Sequence, residues 1–298
     1  MQIAENVTGC TPSNTPSPFQ LRELKLALPN ALAKSQAKGS KLAPLQFRSL
    51  VRNGHYNGTT NGQCPGYLQC NLVVLRKSEA FDFMLFCQRN PQACPLVEVC
   101  DVGSPHPPES LAIGADLRTD IPKYSIYKGG VLEKEITDVV KEWPEDSVAF
   151  LVGCSFTYDS ALLQANIPLR SVEEGKNVPM YRTNIPCCDA GSLKGNMVVS
   201  MKPIKGVDVA KEVLLTNKYP HAHGAPVCVG CPQSIGIQDL NNPDWGDAVE
   251  IRKDEIPVFH ACGVTPQNIL IESKVEFAIT HAPGHMFVTD RLSDEKVF

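Results

Sequence analysis

The feature that most constrains this fold is an internal repeat, in which two cysteines 108 residues apart occupy the same pattern. Residues 148–157, VAFLVGCSFT, and residues 256–265, IPVFHACGVT, each combine an apolar strand, a Cys, a two-residue turn and a Thr that opens an apolar helix. An acidic pair precedes each segment. The repeat predicts two equivalent strand–turn–helix units.

A second pair of similar segments lies upstream of each unit. Residues 71–97 and residues 197–228 both run from an apolar strand through a basic residue and a helix pattern to another strand. The shared order predicts two pseudo-equivalent halves, residues 45–195 and 196–298. We expect their strand-to-helix turns to face each other across one cleft.

Strand and helix patterns alternate from residue 45 onwards, which favours an α/β fold with mixed, partly parallel sheets and flanking helices. Ser78 is predicted to cap the first long helix. The clearest elements are strands at Tyr67–Leu75 and Val148–Val152, helices at Ser78–Arg89 and Thr157–Ala165, and a hairpin around Gly129-Gly130.

Residues 1–44 differ in composition from the rest, with five prolines, one aromatic residue, five basic residues and two acids. This composition predicts a flexible N-terminal extension. A mitochondrial transit peptide is the alternative, since such peptides are basic and poor in acids.

Charge and hydropathy exclude two classes of partner. The net charge of −4 leaves no basic footprint for nucleic acid, and no apolar run is long enough to cross a membrane. The twelve cysteines are scattered among apolar residues, as in proteins of a reducing compartment. The sequence therefore predicts a cytoplasmic protein, with a mitochondrial location as the alternative.

The two repeated turns are the first candidate site. A turn between a strand and a helix directs backbone N–H groups outward, where they bind an anion. Ser155 and the capping residues Thr157 and Thr265 would add donors. Cys154 and Cys262 would be reactive thiols of lowered pKa, or buried core thiols.

Two histidines in one loop form the second candidate. His281 and His285 follow a strand, and Pro283 and Gly284 exclude a helix, so the helical spacing of a metal site does not apply. Either histidine could act as general acid or base, with Asp290 orienting it, or be structural.

Two loops could bind a carboxylate. Tyr181, Arg182 and Asn184 combine a guanidinium fork with neutral donors, and Arg118 lies in a similar cluster. Solvated surface loops are the alternative interpretation of both. Cys228-x-x-Cys231 lacks a second ligand pair, and no metal is predicted. No nucleotide-binding or zincin motif occurs, which argues against those classes.

Nine runs, in order from Leu45 to Asp290, resemble the family of hydro-lyases related to D-glutamate cyclase. The resemblance implies an α/β enzyme that cyclises D-glutamate to 5-oxo-D-proline with loss of water. His260 stands where many relatives carry a Trp. The runs are PGYLQCNLVVL, AFDFMLFCQRNPQACPL, GADLRTDIPKY, VAFLVGCSFTYDSALL, EEGKNVPMYRTNIPC, MVVSMKPI, HGAPVCVGCP, PVFHACGVTPQ and AITHAPGHMFVTD.

The implied reaction is intramolecular and requires no cofactor, so the expected partner is a small carboxylate substrate. We expect Arg182 or Arg118 to bind the α-carboxylate with Tyr181 and Asn184, and the two turns to stabilise the oxyanion. His281 or His285 would transfer protons. Self-association stays open.

Two other functions fit the same residues. Cys154 and Cys262 at equivalent positions are suited to the two-base proton exchange of a cofactor-independent amino-acid racemase or epimerase. A non-catalytic carboxylate-binding module is the other alternative, and it predicts binding without turnover.

Overall fold

The computed structural model describes residues 42–295, and the predicted extension at residues 1–44 lies almost wholly outside them. Eleven strands occur in the described part of the chain. They are β1 (Tyr67–Arg76), β2 (Leu96–Val99), β3 (Tyr124–Lys128), β4 (Val131–Ile136), β5 (Ser147–Gly153), β6 (Met180–Pro186), β7 (Asn196–Lys205), β8 (Cys228–Val229), β9 (Glu255–Ala261), β10 (Phe277–His281) and β11 (Phe287–Leu292).

Short helices connect these strands. They are α1 (Pro44–Arg52), α2 (Lys77–Arg89), α3 (Asp159–Gln164), α4 (Arg170–Glu173), α5 (Val209–Thr216) and α6 (Thr265–Glu272), with 3₁₀ turns at Ser155–Tyr158, Gly206–Asp208, Pro220–Ala222 and Pro232–Ile235. None of the helices within residues 42–295 is long and apolar enough to span a membrane.

The strands form two sheets. The first has the order β2-β5-β1-β10-β3-β4, with β11 also pairing with β1; the second has the order β6-β7-β9-β8. The first sheet therefore takes strands from both predicted halves, because β10 and β11 return to it after the second sheet is complete.

The first sheet is buried on both faces at its centre, which explains the nearly continuous apolar run of β1. Leu72 and Val74 pack into one core cluster, while Val73 and Leu75 pack into another that includes Phe83 of α2. The predicted strand and helix in this region are confirmed. Ser78 does not cap α2, which begins one residue earlier, after Arg76.

The prediction of partly parallel sheets is wrong. Every strand pairing within residues 42–295 is antiparallel. Alternating strands and helices suggested crossover connections, but β5 lies between β1 and β2 and runs antiparallel to both. The α/β class holds, with helices beside antiparallel sheets.

The two repeated segments occupy matching places in their sheets. β5 pairs with β1 from Gly153 opposite Cys70, and β9 pairs with β7 from Ala261 opposite Val199. Each pairing continues over seven residues without a register shift. Each of these two strand pairs therefore ends at one of the two turns that the sequence analysis singled out.

Candidate functional site

The two turns are fixed by the same hydrogen bonds. In the first, Cys154 N–H donates to Gln69 O at 3.0 Å, and Gln69 N–H donates to Thr157 Oγ1 at 3.1 Å. In the second, Cys262 N–H donates to Val198 O at 3.0 Å and Val198 N–H donates to Thr265 Oγ1 at 3.1 Å.

These bonds correct the role predicted for the two threonines. Thr157 and Thr265 were expected to cap helices, yet neither α3 nor α6 has a side-chain cap. Both hydroxyls are fully buried and also donate to the carbonyl of the neighbouring strand, at 3.4 Å for Thr157 and 3.2 Å for Thr265. The threonines therefore hold each turn against its sheet.

The two cysteines of these turns share one apolar cluster. Cys154 and Cys262 pack there with Val198 and Met286, among other side chains. Burial raises the pKa of the Cys154 thiol and raises that of Cys262 to about 11. Of the two interpretations, buried core thiols are confirmed and lowered thiol pKa values are wrong, because desolvation outweighs the backbone N–H directed at each sulfur.

Alkylation should reflect this difference in burial. At neutral pH we expect iodoacetamide to label the exposed Cys188 and Cys231 at least tenfold faster than Cys154 and Cys262, since the thiolate is the nucleophile. Peptide mass spectrometry over a time course would measure the four rates. Rapid labelling of Cys154 or Cys262 in the folded protein would contradict their assignment as buried thiols of raised pKa. It would instead support a nucleophilic role for the labelled cysteine.

The histidine loop lies against the first sheet. His281 is completely buried, its Nδ1 is 3.2 Å from Leu72 N, and burial lowers its pKa to about 4. His285 retains slight exposure, and its Nδ1 lies 3.0 Å from Pro283 O. Its neighbour Met286 packs in the cluster with both cysteines, so the loop borders the two turns.

Asp290 does not orient either histidine by its hydrogen bonds. Its two carboxylate oxygens accept hydrogen bonds from the buried guanidinium of Arg48, at 3.0 and 2.8 Å. The backbone N–H of Ile113 donates to one of them at 2.7 Å. The carboxylate compensates a buried cation, which is a structural task.

The predicted guanidinium forks already have carboxylate partners. Arg182 donates to Asp244 at 2.7 Å and to Asn268 at 2.8 Å, and it stacks over a Trp ring. Arg118 forms a two-bond pair with Asp116, two residues earlier in the chain. A substrate carboxylate at either site would have to displace an internal partner.

The other two members of this predicted set lie near Arg182 but are separated from each other. Tyr181 is buried, and its hydroxyl donates to Leu240 O at 2.8 Å. Asn184 is exposed beside Gly236. Ser155 is buried in the first turn, next to the Tyr158 side chain.

A buried group of ionisable side chains was missed by the sequence analysis, His260 excepted. This buried polar cluster lies between the first turn and the adjacent face of the second sheet. Its members come from the first turn, the start of α3, β7, α5, the turn after α5 and β9: Tyr158, Asp159, Ser200, Lys202, Glu212, His223 and His260.

The cluster is linked by short distances. Lys202 Nζ lies 3.7 Å from Asp159 Oδ1 and 4.9 Å from the centre of the Tyr158 ring. His260 Nε2 lies 2.7 Å from Glu212 Oε1, and its ring lies 5.7 Å from that of Tyr158. Ser200 and His260 are opposite each other in the β7–β9 pairing, so they share one face of the sheet.

Many polar atoms in the cluster have no hydrogen-bond partner. Twelve buried side-chain nitrogen and oxygen atoms in residues 42–295 lack one, and six of them belong to the cluster. Such atoms are costly to bury, and their concentration at one place marks a site built for something other than stability. They are Tyr158 Oη, Asp159 Oδ1, Ser200 Oγ, Lys202 Nζ, Glu212 Oε2 and His223 Nε2.

Burial perturbs the titration of the cluster. It raises the pKa of Asp159, although the ammonium of Lys202 partly offsets the effect. It lowers the pKa of His223 to about 4, and the charges of His260 and Lys202 act in the same direction. His223 also has a backbone φ of 77°, a strained conformation for a residue other than glycine.

Similar proteins agree with the resemblance drawn from the sequence. The sequence model described as D-glutamate cyclase matches residues 148–290. Relatives named as putative hydro-lyases come from Natranaerobius thermophilus (53% identical, 83% of this chain and 94% of the relative), a Thermoanaerobacter species (56%, 85% and 95%) and Stutzerimonas stutzeri (51%, 86% and 96%).

These matches define an enzyme of the hydro-lyase class. More narrowly, the chain belongs to the D-glutamate cyclase family, and the resemblance is confirmed. The crystal structure of a nitrogen repressor-like protein from Methanococcus jannaschii aligns with a TM-score of 0.38 at 12% sequence identity. The alignment covers 86% of this chain and 99% of that protein's chain. That similarity is too distant to support any argument.

Proposed function

We propose that this protein cyclises D-glutamate to 5-oxo-D-proline with loss of water. The observation that carries the proposal is the buried polar cluster beside the Cys154 turn. Its ionisable side chains could supply the proton transfer and charge stabilisation that the cyclisation needs. Membership of the D-glutamate cyclase family supports the choice of substrate.

The reaction needs no second reactant. The substrate nitrogen bonds to the side-chain carboxyl carbon, a C–O bond breaks, and water leaves with that oxygen and two protons from the ammonium group. Holding the substrate in a folded conformer supplies most of the proximity. The protein must then bind a carboxylate, take two protons in turn from the ammonium group and deliver two to the departing oxygen.

Asp159 is suited to the proton-donating step. Desolvation raises its pKa, so the carboxyl group holds its proton more readily than an exposed Asp does. Its Oδ1 has no hydrogen-bond partner and lies 3.7 Å from Lys202 Nζ. We assign Asp159 as the acid that protonates the departing oxygen.

The two turns and the histidine loop would complete the site. The matching register of the two strand pairs supports their treatment as internal repeats whose turns form two walls of one cleft. His285 is the histidine of the loop that we assign to proton uptake, since Met286 beside it packs against both cysteines.

The test is direct. Purified protein should convert D-glutamate, and not L-glutamate, to 5-oxoproline detected by chiral liquid chromatography and mass spectrometry. A racemase would instead exchange the α-proton in D₂O without loss of water, and a binding module would give neither product. Either result would refute the cyclase.

Asp159→Asn should lower kcat about 10²-fold or more, since it removes the proposed acid. Asp254→Asn is the matched control, because Asp254 is exposed just before β9. Circular dichroism would establish that both variants are folded. Equal kcat values for wild type and Asp159→Asn would remove Asp159 from the mechanism.

A further inference from the structure

Lys202 is an unusual buried cation. Its side chain is only 8% exposed, yet its ammonium group makes no hydrogen bond to any described residue. The nearest carboxylate oxygen, Asp159 Oδ1, is 3.7 Å away, which is longer than a charge-assisted hydrogen bond of about 2.8 Å. A buried charge in this state is expensive unless a further partner arrives.

Two other buried cations show how this fold normally compensates a charge. Arg48 donates to Asp290, to Val288 O and to a third backbone carbonyl. Arg170 donates to Glu255 at 2.6 Å and to two further glutamates. Lys202 differs from both, so its missing partner is a local property of the cluster.

Two neutral hydroxyl groups belong to the same buried polar cluster as the ammonium group. Ser200 lies two residues earlier on the same face of β7, and its hydroxyl has no partner. The Tyr158 hydroxyl has none either, and its ring lies against Lys202 Nζ. One cation and two hydroxyl donors match the acceptor capacity of one carboxylate, which has about four lone-pair sites.

We propose that Lys202, with the hydroxyls of Ser200 and Tyr158, binds a carboxylate of the small organic-acid substrate. The proposal deepens the function proposed above and rests on it for the identity of the substrate. It also replaces Arg182 and Arg118, which are bound to their own carboxylates, as the source of the anchoring charge.

The surface nearest to the buried polar cluster belongs to the two turns and to the side-chain stem of Lys202. Lys202, Cys154, Ser155 and Cys262 each keep between 5% and 9% of their surface exposed, whereas Ser200, Tyr158 and His260 keep 0–1%. The less buried residues are those of the two turns together with Lys202. Lys202 Nζ itself is buried, and an apolar cluster fills the space at the two turns, so a ligand would reach the ammonium group by moving the turns apart.

The test is a binding measurement that does not depend on turnover. 5-Oxo-D-proline carries one carboxylate and no ammonium group, and 2-pyrrolidinone is the same ring without the carboxylate. Isothermal titration calorimetry should show binding of 5-oxo-D-proline at least tenfold tighter than that of 2-pyrrolidinone. Glutarate, a dicarboxylate without an amino group, is a second carboxylate probe. Equal affinity for 5-oxo-D-proline and 2-pyrrolidinone, or no binding of either carboxylate probe, would overturn the proposal.

Variants locate the charge. Lys202→Met should weaken 5-oxo-D-proline binding at least tenfold, whereas Lys202→Arg should retain most of it. Lys205→Met is the matched control, since Lys205 is exposed on the same strand, and its affinity should be unchanged. A folded Lys202→Met protein with wild-type affinity would overturn the proposal.

Two further arms keep the result interpretable. If Lys202→Met does not fold, Ser200→Ala and Tyr158→Phe should each still weaken binding of 5-oxo-D-proline at least threefold, and unchanged affinity in both would overturn the proposal. If binding depends on Lys202 but D-glutamate is not cyclised, the carboxylate site stands and the proposed reaction falls.

Discussion

Between pH 7 and pH 4, two buried histidines are expected to lower the free energy of unfolding by about 6 kcal/mol, because the unfolded chain takes up protons that the folded chain binds more weakly. Burial lowers the pKa of His223 and of His281 to about 4. In the unfolded chain both groups titrate near pH 6.5. Between these two pKa values the unfolded state binds more protons than the folded state, so the free energy of unfolding falls as the pH falls.

The size of this effect follows from linkage. No penalty applies above about pH 6.5, where both histidines are neutral in the folded and unfolded states. As the pH falls to 4, each histidine then lowers the free energy of unfolding by about 3 kcal/mol, since one pKa unit corresponds to about 1.4 kcal/mol. Well below pH 4 their contribution no longer changes, because both histidines are then protonated in the folded and the unfolded states.

Urea unfolding at pH 7, 5.5 and 4 would measure the slope. His281→Gln and His223→Gln should each reduce the loss of stability between pH 7 and pH 4 by about 3 kcal/mol, whatever they do to stability at pH 7. His55→Gln, at an exposed position, is the matched control and should keep the full slope. Identical slopes in all four proteins would show that neither buried histidine is the cause.

The local elements could be predicted from the sequence because their signals are short-range. The buried strand at Val148–Val152 and the Gly129-Gly130 hairpin need only apolar runs and turn residues, and both occur with small changes at their ends. Strand order could not be predicted in this way. The insertion of β5 between β1 and β2 is a pairing across more than 50 residues, which no local pattern specifies.

The same limit separates the correct and incorrect parts of the site. Asp116 precedes Arg118 by two residues, so this ion pair could have been anticipated from the sequence. Arg182 meets Asp244 and Arg48 meets Asp290 across 62 and 242 residues, and only the folded chain shows those pairs. The first pairing occupies the charge that the sequence analysis had assigned to the substrate, and the second occupies the carboxylate that it had assigned to a histidine.

Lys202 did give a signal in the sequence. It interrupts the apolar run MVVSMKPI, and it shares with Ser200 the alternate positions of one strand face. A Lys on a strand buried on both faces requires a partner, and none stands near it in the sequence. Asp159 and Tyr158 follow the first repeated turn, so the repeat itself indicated where that partner would come from.

Gly153→Ala is expected to lower the free energy of unfolding by about 3 kcal/mol or more and to abolish most activity. A Cβ at position 153 would lie 1.7 Å from the backbone carbonyl oxygen of His221. No side-chain rotation can relieve a contact with backbone, so the segment at residues 220–223 would have to move away from the first turn. His223 would then be displaced from the buried polar cluster.

Gly206→Ala is the matched control. Gly206 follows β7, its φ is not in the left-handed region, and a Cβ there would lie 3.6 Å from its nearest neighbour, a side-chain atom of Ile256. Its melting temperature and kcat should stay at the wild-type values, whereas Gly153→Ala should melt roughly 10 °C lower. A Gly153→Ala protein with unchanged kcat and melting temperature would show that close packing of the His221 segment on the first turn is not required. It would also show that turnover does not depend on the position of His223 in the buried polar cluster.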